Sequence, residues 1–173
     1  MIGCGNVGKD VVRLLQPFGC RILAHDVRQF NAFYARYSVE AVDLDALLRA
    51  ADVVTLHVPL DSSTRGMLTD DRLSLLRLSA VLINTARGHL VDESALKRRL
   101  QRGEIAAAGF DVFAVEPPED QELLHLPNFL ATPHIGGSAA EAILAMGRAA
   151  IDGLDNNHVP GLTQDVPTPE EVE

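Results

Sequence analysis

The sequence predicts an α/β fold, a doubly wound parallel sheet with helices on both faces, and three observations lead there. A G-x-G-x-x-G spacing stands at Gly3-Cys4-Gly5-Asn6-Val7-Gly8. Behind it, short β-branched runs alternate with amphipathic stretches, the pattern of parallel strands joined by crossover helices. Polar residues gather where those runs end, at Asp26, His57, Asn84-Thr85-Ala86-Arg87 and Asp111.

The glycine spacing is that of a strand turning sharply into a helix whose first amides face a pyrophosphate. Gly3 permits the turn, Gly5 lets a cofactor approach the backbone, and Gly8 lets the helix pack close to the sheet. Glycine clusters more often mark ordinary turns, so context decides. Residues 6–18 read as a helix with Val7, Val11, Leu14 and Leu15 on one stripe, ended by Pro17 and Gly19. Residues 21–25 read as a short buried strand ending at Asp26. An acidic residue about 20 positions past the glycines, at the tip of the second strand, accepts hydrogen bonds from the adenosine ribose. The turn therefore reads as the dinucleotide site of a Rossmann-type fold. A carboxylate at Asp26 repels a 2'-phosphate, which favours NAD over NADP; Arg28 nearby is the one residue suited to meeting such a phosphate.

The remaining elements follow in alternation. Asp43 or Asp45 caps a helix to Ala50, and residues 53–57 form the next strand, ended by Val58-Pro59-Leu60. Thr69 caps a short helix through Leu76, and residues 80–84 are the clearest buried strand. A helix over 92–102 stops at Gly103, strands follow at 106–110 and 129–131, and a long helix runs from 138 to about 154. Residues 1–157 are expected to form one nucleotide-binding domain. The tail 158–173 holds three prolines and four acidic residues, and is expected to be extended or disordered.

A net charge of -9 argues against nucleic-acid or anionic-membrane partners, because an acidic surface repels phosphate. No apolar run approaches the roughly 20 residues of a membrane helix. Two cysteines, Cys4 and Cys20, make no disulfide framework, and the expectation is a soluble cytoplasmic protein. No cluster has metal-ligand spacing, so no metal is expected.

Parallel sheets bind ligands outside the carboxyl ends of their strands, so the polar strand ends should line one crevice. Three further residues are chemically telling: Arg87 in NTARG, Glu116 in FDVFAVEP and His134 in TPHIGG. Singly, each has an ordinary reading as a surface charge, a loop carboxylate and a structural histidine. Together they make a hydride-transfer set. A guanidinium holds the carboxylate of a 2-keto acid and polarises its carbonyl. An imidazole with a pKa near the working pH protonates the developing alkoxide, and a carboxylate beside it orients the ring and favours its charged form.

On these residues, and on the strings GCGNVG, LHVPLDSSTRGML, INTARGHLVDESAL, AAAGFDVFAVEPP and NFLATPHIGGSAAEA, the chain resembles the NAD-binding domain of the D-isomer-specific 2-hydroxyacid dehydrogenases. Within that family it looks phosphoglycerate dehydrogenase-like. The resemblance implies an NAD-dependent oxidoreductase that interconverts a D-2-hydroxy acid and a 2-keto acid, with Arg87, Glu116 and His134 catalytic. It implies that Gly3, Gly5, Asn6, Val7 and Gly8 hold the pyrophosphate and Asp26 the adenosine ribose. Val58, Pro59 and Thr64 would follow the cofactor's length, while Thr85, Ala86, Arg87, Asp111 and His134 would flank the nicotinamide, Asp111 at its carboxamide. Gly136 and Gly137 match the glycines that follow the family's histidine, and pairing as a homodimer is implied too.

The departure is one of extent. Family members carry a second, smaller domain built partly from an N-terminal segment, and only Met1-Ile2 precede the glycine turn here. The expectation is therefore the cofactor portion of a longer enzyme, with the N-terminal substrate domain absent and the first strand truncated to a pair that cannot cover its neighbours' edges. Two other readings stay open: an NAD-sensing binding module of the corepressor type, and an inactive truncated remnant.

Overall fold

In the computed structural model of the chain, residues 1–155 are described, and they fall into two compact units, Met1–Ile135 and a second that begins at Gly136. The tail expected at 158–173 lies outside the described residues.

Within the first unit, α1 (Asn6–Leu15) passes into a 3-10 turn (Gln16–Phe18) that Gly19 ends at φ 61°. The helix predicted over 6–18 is thus α-helical only to Leu15, because Pro17 carries no N–H for an α-type bond. β1 (Ile22–Ala24) follows, then two elements that sequence reasoning passed over, α2 (Asn31–Tyr37) and β2 (Val39–Ala41). Both carry weak signals. α2 is rich in aromatic residues of modest helix propensity and has no side-chain cap, and β2 buries only Val39 of its three residues.

The later elements announce themselves through their caps. α3 (Leu44–Ala50) starts where the Asp43 carboxylate accepts from the Ala46 amide, and β3 (Val53–Leu56) follows it. α4 (Asp70–Leu73) is capped by Thr69 and stops short of the predicted Leu76; β4 is Val81–Asn84. The Asp92 side chain caps α5 (Glu93–Gln101), which leads to β5 (Ala107–Phe110). Asp120 caps the unpredicted one-turn α6 (Gln121–Leu124), before β6 (Phe129–Ala131). Each such cap is worth about 1 kcal/mol. In the second unit, α7 spans Ala140–Asp155, and its Ile143, Met146 and Ile151 are more than half exposed.

All named strand pairs are parallel, with β1 beside β2 and β3-β4-β5-β6 in sequence order. The first strand is shorter than a strand, yet it pairs. The Ile2 amide donates to Thr55 O at 2.9 Å and Ile2 O accepts from the His57 amide at 2.7 Å, while Gly3 N to His25 O and His25 N to Met1 O bridge the other side at 2.8 and 3.0 Å. Ile2 thereby joins the two ribbons into the order β2-β1-Ile2-β3-β4-β5-β6, the arrangement of a doubly wound nucleotide-binding sheet extended by one strand. As expected of a truncated first strand, Met1-Ile2 do not pair along the length of their neighbours: they make one bridge on each side. Their reach ends there, and Val53 at the start of β3 is 52% exposed.

Alternation along β1 shows how the core divides. Ile22 and Ala24 pack with Met1, Cys4, Val12 and Tyr34 beneath α1 and α2, whereas Leu23 joins Leu44, Leu47 and Leu56 beneath α3 on the opposite face. The larger cluster continues through Leu82, Leu96, Leu100, Phe110 and Leu123. Asn84 and Asp111, at the ends of β4 and β5, are the buried polar side chains among the described residues, and both sit at the carboxyl edge where the polar strand ends were expected. No helix among the described residues is long and apolar enough to cross a membrane.

Candidate functional site

The glycine turn is built as its spacing requires. Gly3 has φ 89°, and a Cβ there would come within 2.6 Å of His57 O, so only glycine joins this turn to β3. A Cβ on Gly8 would lie 2.4 Å from Gly3 O, which lets α1 start directly against the turn. Gly5 differs, because a Cβ there would meet nothing within 4 Å; it lines an open cleft. No side chain caps α1 and no acidic residue stands in its first turn. The first amides of a helix have no intrahelical partner, so Asn6, Val7 and Gly8 present N–H groups and the positive end of the helix dipole. The space left by Gly5 and the uncapped amides fit a pyrophosphate.

The cleft has a volume of about 440 Å3 and is lined by Gly3, Gly5, Asp26, Val58, Pro59 and Thr64 of the predicted residues. His25, Arg28, Phe30, His57, Met67 and Arg72 complete much of its wall. The Asp26 carboxylate is drawn onto the glycine turn: Oδ2 accepts from the Cys4 amide at 2.6 Å and Oδ1 from the Arg28 amide at 2.8 Å. A carboxylate has about four lone-pair sites, so two remain for hydroxyl donors. Thr64 Oγ1 donates to Pro59 O at 2.7 Å and pins the loop beyond β3. His57 Nε2 lies 3.0 Å from Thr55 Oγ1, and burial pushes its imidazole pKa down.

A second group of predicted residues lies outside the lining of that cleft. The turn after β4 is held by Asn84, whose Oδ1 accepts from the Ala86 amide at 3.1 Å and whose Nδ2 donates to Arg87 O at 2.9 Å. Thr85 and Arg87 are exposed on it and Ala86 is buried. Arg87 Nη1 donates to Ala86 O at 2.6 Å, one of five guanidinium donors. Glu116 and His134 meet directly: Nδ1 of His134 is 2.8 Å from Oε2 of Glu116. An ionised carboxylate only accepts, so Nδ1 carries the hydrogen and Nε2 is the ring's other face. The other Glu116 oxygen accepts from the Phe113 amide at 3.0 Å. The carboxyl is held below its ordinary range, chiefly by the His134 hydrogen bond and then by the Phe113 amide.

Asp111 works behind this pair. Its Oδ1 accepts from Thr132 Oγ1 at 2.5 Å and from the Ile135 amide at 2.9 Å, which fixes the segment that carries His134 in its left-handed conformation, φ 53°. Gly136 and Gly137 lie in the turn that opens the second unit.

Three contributors escaped sequence reasoning. Asn84 was read only as a strand end, although a buried amide flanked by a turn is a sign of backbone bracing. Gly88 follows Arg87 with no turn signal; a Cβ there would lie 1.9 Å from Phe113 O, so glycine alone lets the Arg87 turn rest on the loop that carries Glu116. Glu93 falls inside the helix expected over 92–102 with nothing to mark it, yet its Oε1 accepts from the Ala114 amide at 2.7 Å.

Turn, cleft and strand-end residues together define a dinucleotide-binding domain with a polar site at the carboxyl edge of its sheet. The family described as D-isomer specific 2-hydroxyacid dehydrogenase, NAD binding domain, matches residues 1–136. The chain belongs to that family. Similar relatives include a hydroxypyruvate reductase of Thermotoga maritima, 42% identical over 89% of this chain and 50% of the relative. A D-3-phosphoglycerate dehydrogenase of Methanocaldococcus jannaschii is 41% identical over 85% of this chain and 28% of the relative. Among solved structures, the NAD-complexed D-isomer specific 2-hydroxyacid dehydrogenase of Lactobacillus delbrueckii ssp. bulgaricus superposes with a TM-score of 0.79 at 32% identity, over 92% of this chain and 53% of that one. The chain thus spans about half the length, or less, of the curated relatives it matches.

Proposed function

We propose that the protein carrying this chain is an NAD-dependent oxidoreductase that interconverts a D-2-hydroxy acid and its 2-keto acid, and that residues 1–157 form its cofactor-binding portion. The observation that carries this reading is the 2.8 Å contact between His134 and Glu116, in a loop whose Phe113 carbonyl crowds Gly88, the residue after Arg87. The names of the relatives, which reduce hydroxypyruvate or oxidise glycerate derivatives, agree with a small hydroxy or keto acid as substrate.

The nicotinamide cofactor, when bound, supplies or accepts the hydride. Gly3, Gly5 and the amides of Asn6, Val7 and Gly8 cradle its pyrophosphate, Asp26 takes its adenosine ribose, and Val58, Pro59 and Thr64 line its path. Thr85, Ala86, Asp111, Gly136 and Gly137 belong to its nicotinamide end on the strength of the family pattern. Arg87 binds the substrate carboxylate and polarises the 2-carbonyl through its planar donors. His134, oriented through Nδ1 by Glu116, offers Nε2 to the substrate oxygen, giving a proton in reduction and taking it back in oxidation. Two free cysteines support a cytoplasmic setting, the net charge of -9 disfavours nucleic-acid or anionic-membrane partners, and the family resemblance supports a homodimer.

The test is turnover of glyoxylate, hydroxypyruvate and pyruvate with NADH by the protein that carries this chain. His134→Ala should lower kcat by roughly two to four orders of magnitude, the usual worth of a general acid, with NADH affinity within a few-fold of wild type. NAD binding with no turnover of any 2-keto acid would reject the enzymatic reading in favour of an NAD-sensing module.

A further inference from the structure

The loop that carries Glu116 is gripped at a single peptide group. Its carbonyl, Phe113 O, rests against Gly88, where a Cβ would sit only 1.9 Å away. Its N–H, that of Ala114, donates to Oε1 of Glu93 at 2.7 Å. The preceding amide, Phe113 N, donates to Glu116 itself at 3.0 Å, and the free end of that carboxylate reaches His134. Glu93 is the first residue of α5 and is half-buried, and burial pushes its carboxyl pKa up. A glutamate that only opened a helix would serve the helix dipole from solvent. This one faces inward onto the neighbouring loop.

We infer that Glu93 is a positioning residue for the acid-base pair: by holding the Phe113–Ala114 peptide in one orientation, it sets where the Glu116 carboxylate stands and hence how His134 is aimed. The inference rests on the catalytic reading of Glu116 and His134 given above. The geometry makes the coupling short. Glu116 closes its own loop through the amide one residue before the one Glu93 holds, so rotation of that peptide carries the carboxylate with it. Misplacement of a catalytic group by about 1 Å can cost up to about a hundredfold in rate. Gly88 limits how far the carbonyl can approach its own strand end, and the hydrogen bond to Glu93 fixes the direction of the N–H.

The test uses the protein that carries this chain, with NADH and glyoxylate, and compares Glu93→Ala, Glu93→Gln and Glu93→Asp. Glu93→Gln keeps an acceptor oxygen at the same reach. Glu93→Asp keeps the charge at the start of α5 but withdraws the acceptor by one carbon, and so separates positioning from the helix charge even should Glu93→Ala fold poorly. The expected result is that Ala and Asp lower kcat at least about tenfold and leave KM for NADH within about twofold, whereas Gln restores kcat. Hydrogen exchange of the Ala114 amide should be fast in the Ala and Asp variants and protected in wild type and Gln. Should Glu93→Asp retain full kcat while His134→Ala is inactive, the inference is overturned and the catalytic reading stands. A fully active His134→Ala enzyme would overturn the catalytic reading itself, while the exchange protection of Ala114 would still report on the grip.

Discussion

Glu116 divides its two oxygens between a backbone amide and an imidazole, and that division has a pH signature. Its carboxyl pKa lies below the ordinary glutamate value of about 4.3, first because of the His134 hydrogen bond and second because of the Phe113 amide. A carboxyl whose folded value is depressed contributes its stabilisation above the unfolded value and loses it as pH falls through the folded one. The pair should therefore persist below about pH 4.3, and break at the lower folded midpoint. The side chains are 49% and 38% exposed, so solvent screening keeps the contribution to overall stability small. A carbon-13 carboxyl titration checks this: the Glu116 midpoint should rise toward the ordinary value in His134→Ala, and an unmoved midpoint would contradict the pairing. Asp26 makes a second prediction at this scale. Its oxygens already take the Cys4 and Arg28 amides, so Asp26→Ala should weaken NAD and also loosen the glycine turn. NAD affinity unchanged by that substitution, measured by calorimetry, would remove the ribose assignment.

Among the elements, what was readable in the sequence and what was not have a common explanation. α3, α4 and α5 were visible because Asp43, Thr69 and Asp92 announce their starts, and each does cap an amide three residues on. α2 and β2 were not, because α2 has no side-chain cap and β2 buries only Val39; α6 was missed although Asp120 caps it, because a single turn shows no periodicity. The same division runs through the site. Arg87, Glu116 and His134 carry functional groups that chemistry can recognise in a string, whereas Asn84, Gly88 and Glu93 act on backbone atoms of segments distant in sequence. Gly88 gives the sharpest test. Alanine there must displace Phe113 O, which would otherwise lie 1.9 Å from its Cβ, and overpacking of this kind costs about 1–3 kcal/mol. Gly88→Ala should lower the thermal midpoint accordingly and reduce turnover beyond what partial unfolding explains, because the shifted atom belongs to the loop that positions Glu116. A variant with wild-type midpoint and kcat would show that the loop yields freely.

At the scale of the whole first unit, the sheet has one splice. Ile2 is fully buried and bridges both β1 and β3, so it and the turn that follows it supply the backbone hydrogen bonds that join the ribbon bearing Asp26 to the ribbon bearing Val58 and Pro59. The cofactor cleft draws its wall from both sides of that splice. Ile2→Ala keeps the backbone bridges but empties a packed position beside Leu23 and Leu56, for which the usual cost is about 2–5 kcal/mol. If the cleft depends on the two ribbons being held in register, the substitution should weaken NAD as well as stability. The two effects can be separated by linkage. A ligand at 100 times its dissociation constant adds about 2.7 kcal/mol to the stability of the state that binds it. Wild-type protein should show a thermal midpoint that climbs with NAD on that scale. Ile2→Ala should start lower and need a higher NAD concentration for the same gain. A variant that starts lower but responds to NAD at the wild-type concentration would mean that the splice supports the fold alone, and that each ribbon keeps its half of the cleft without the other.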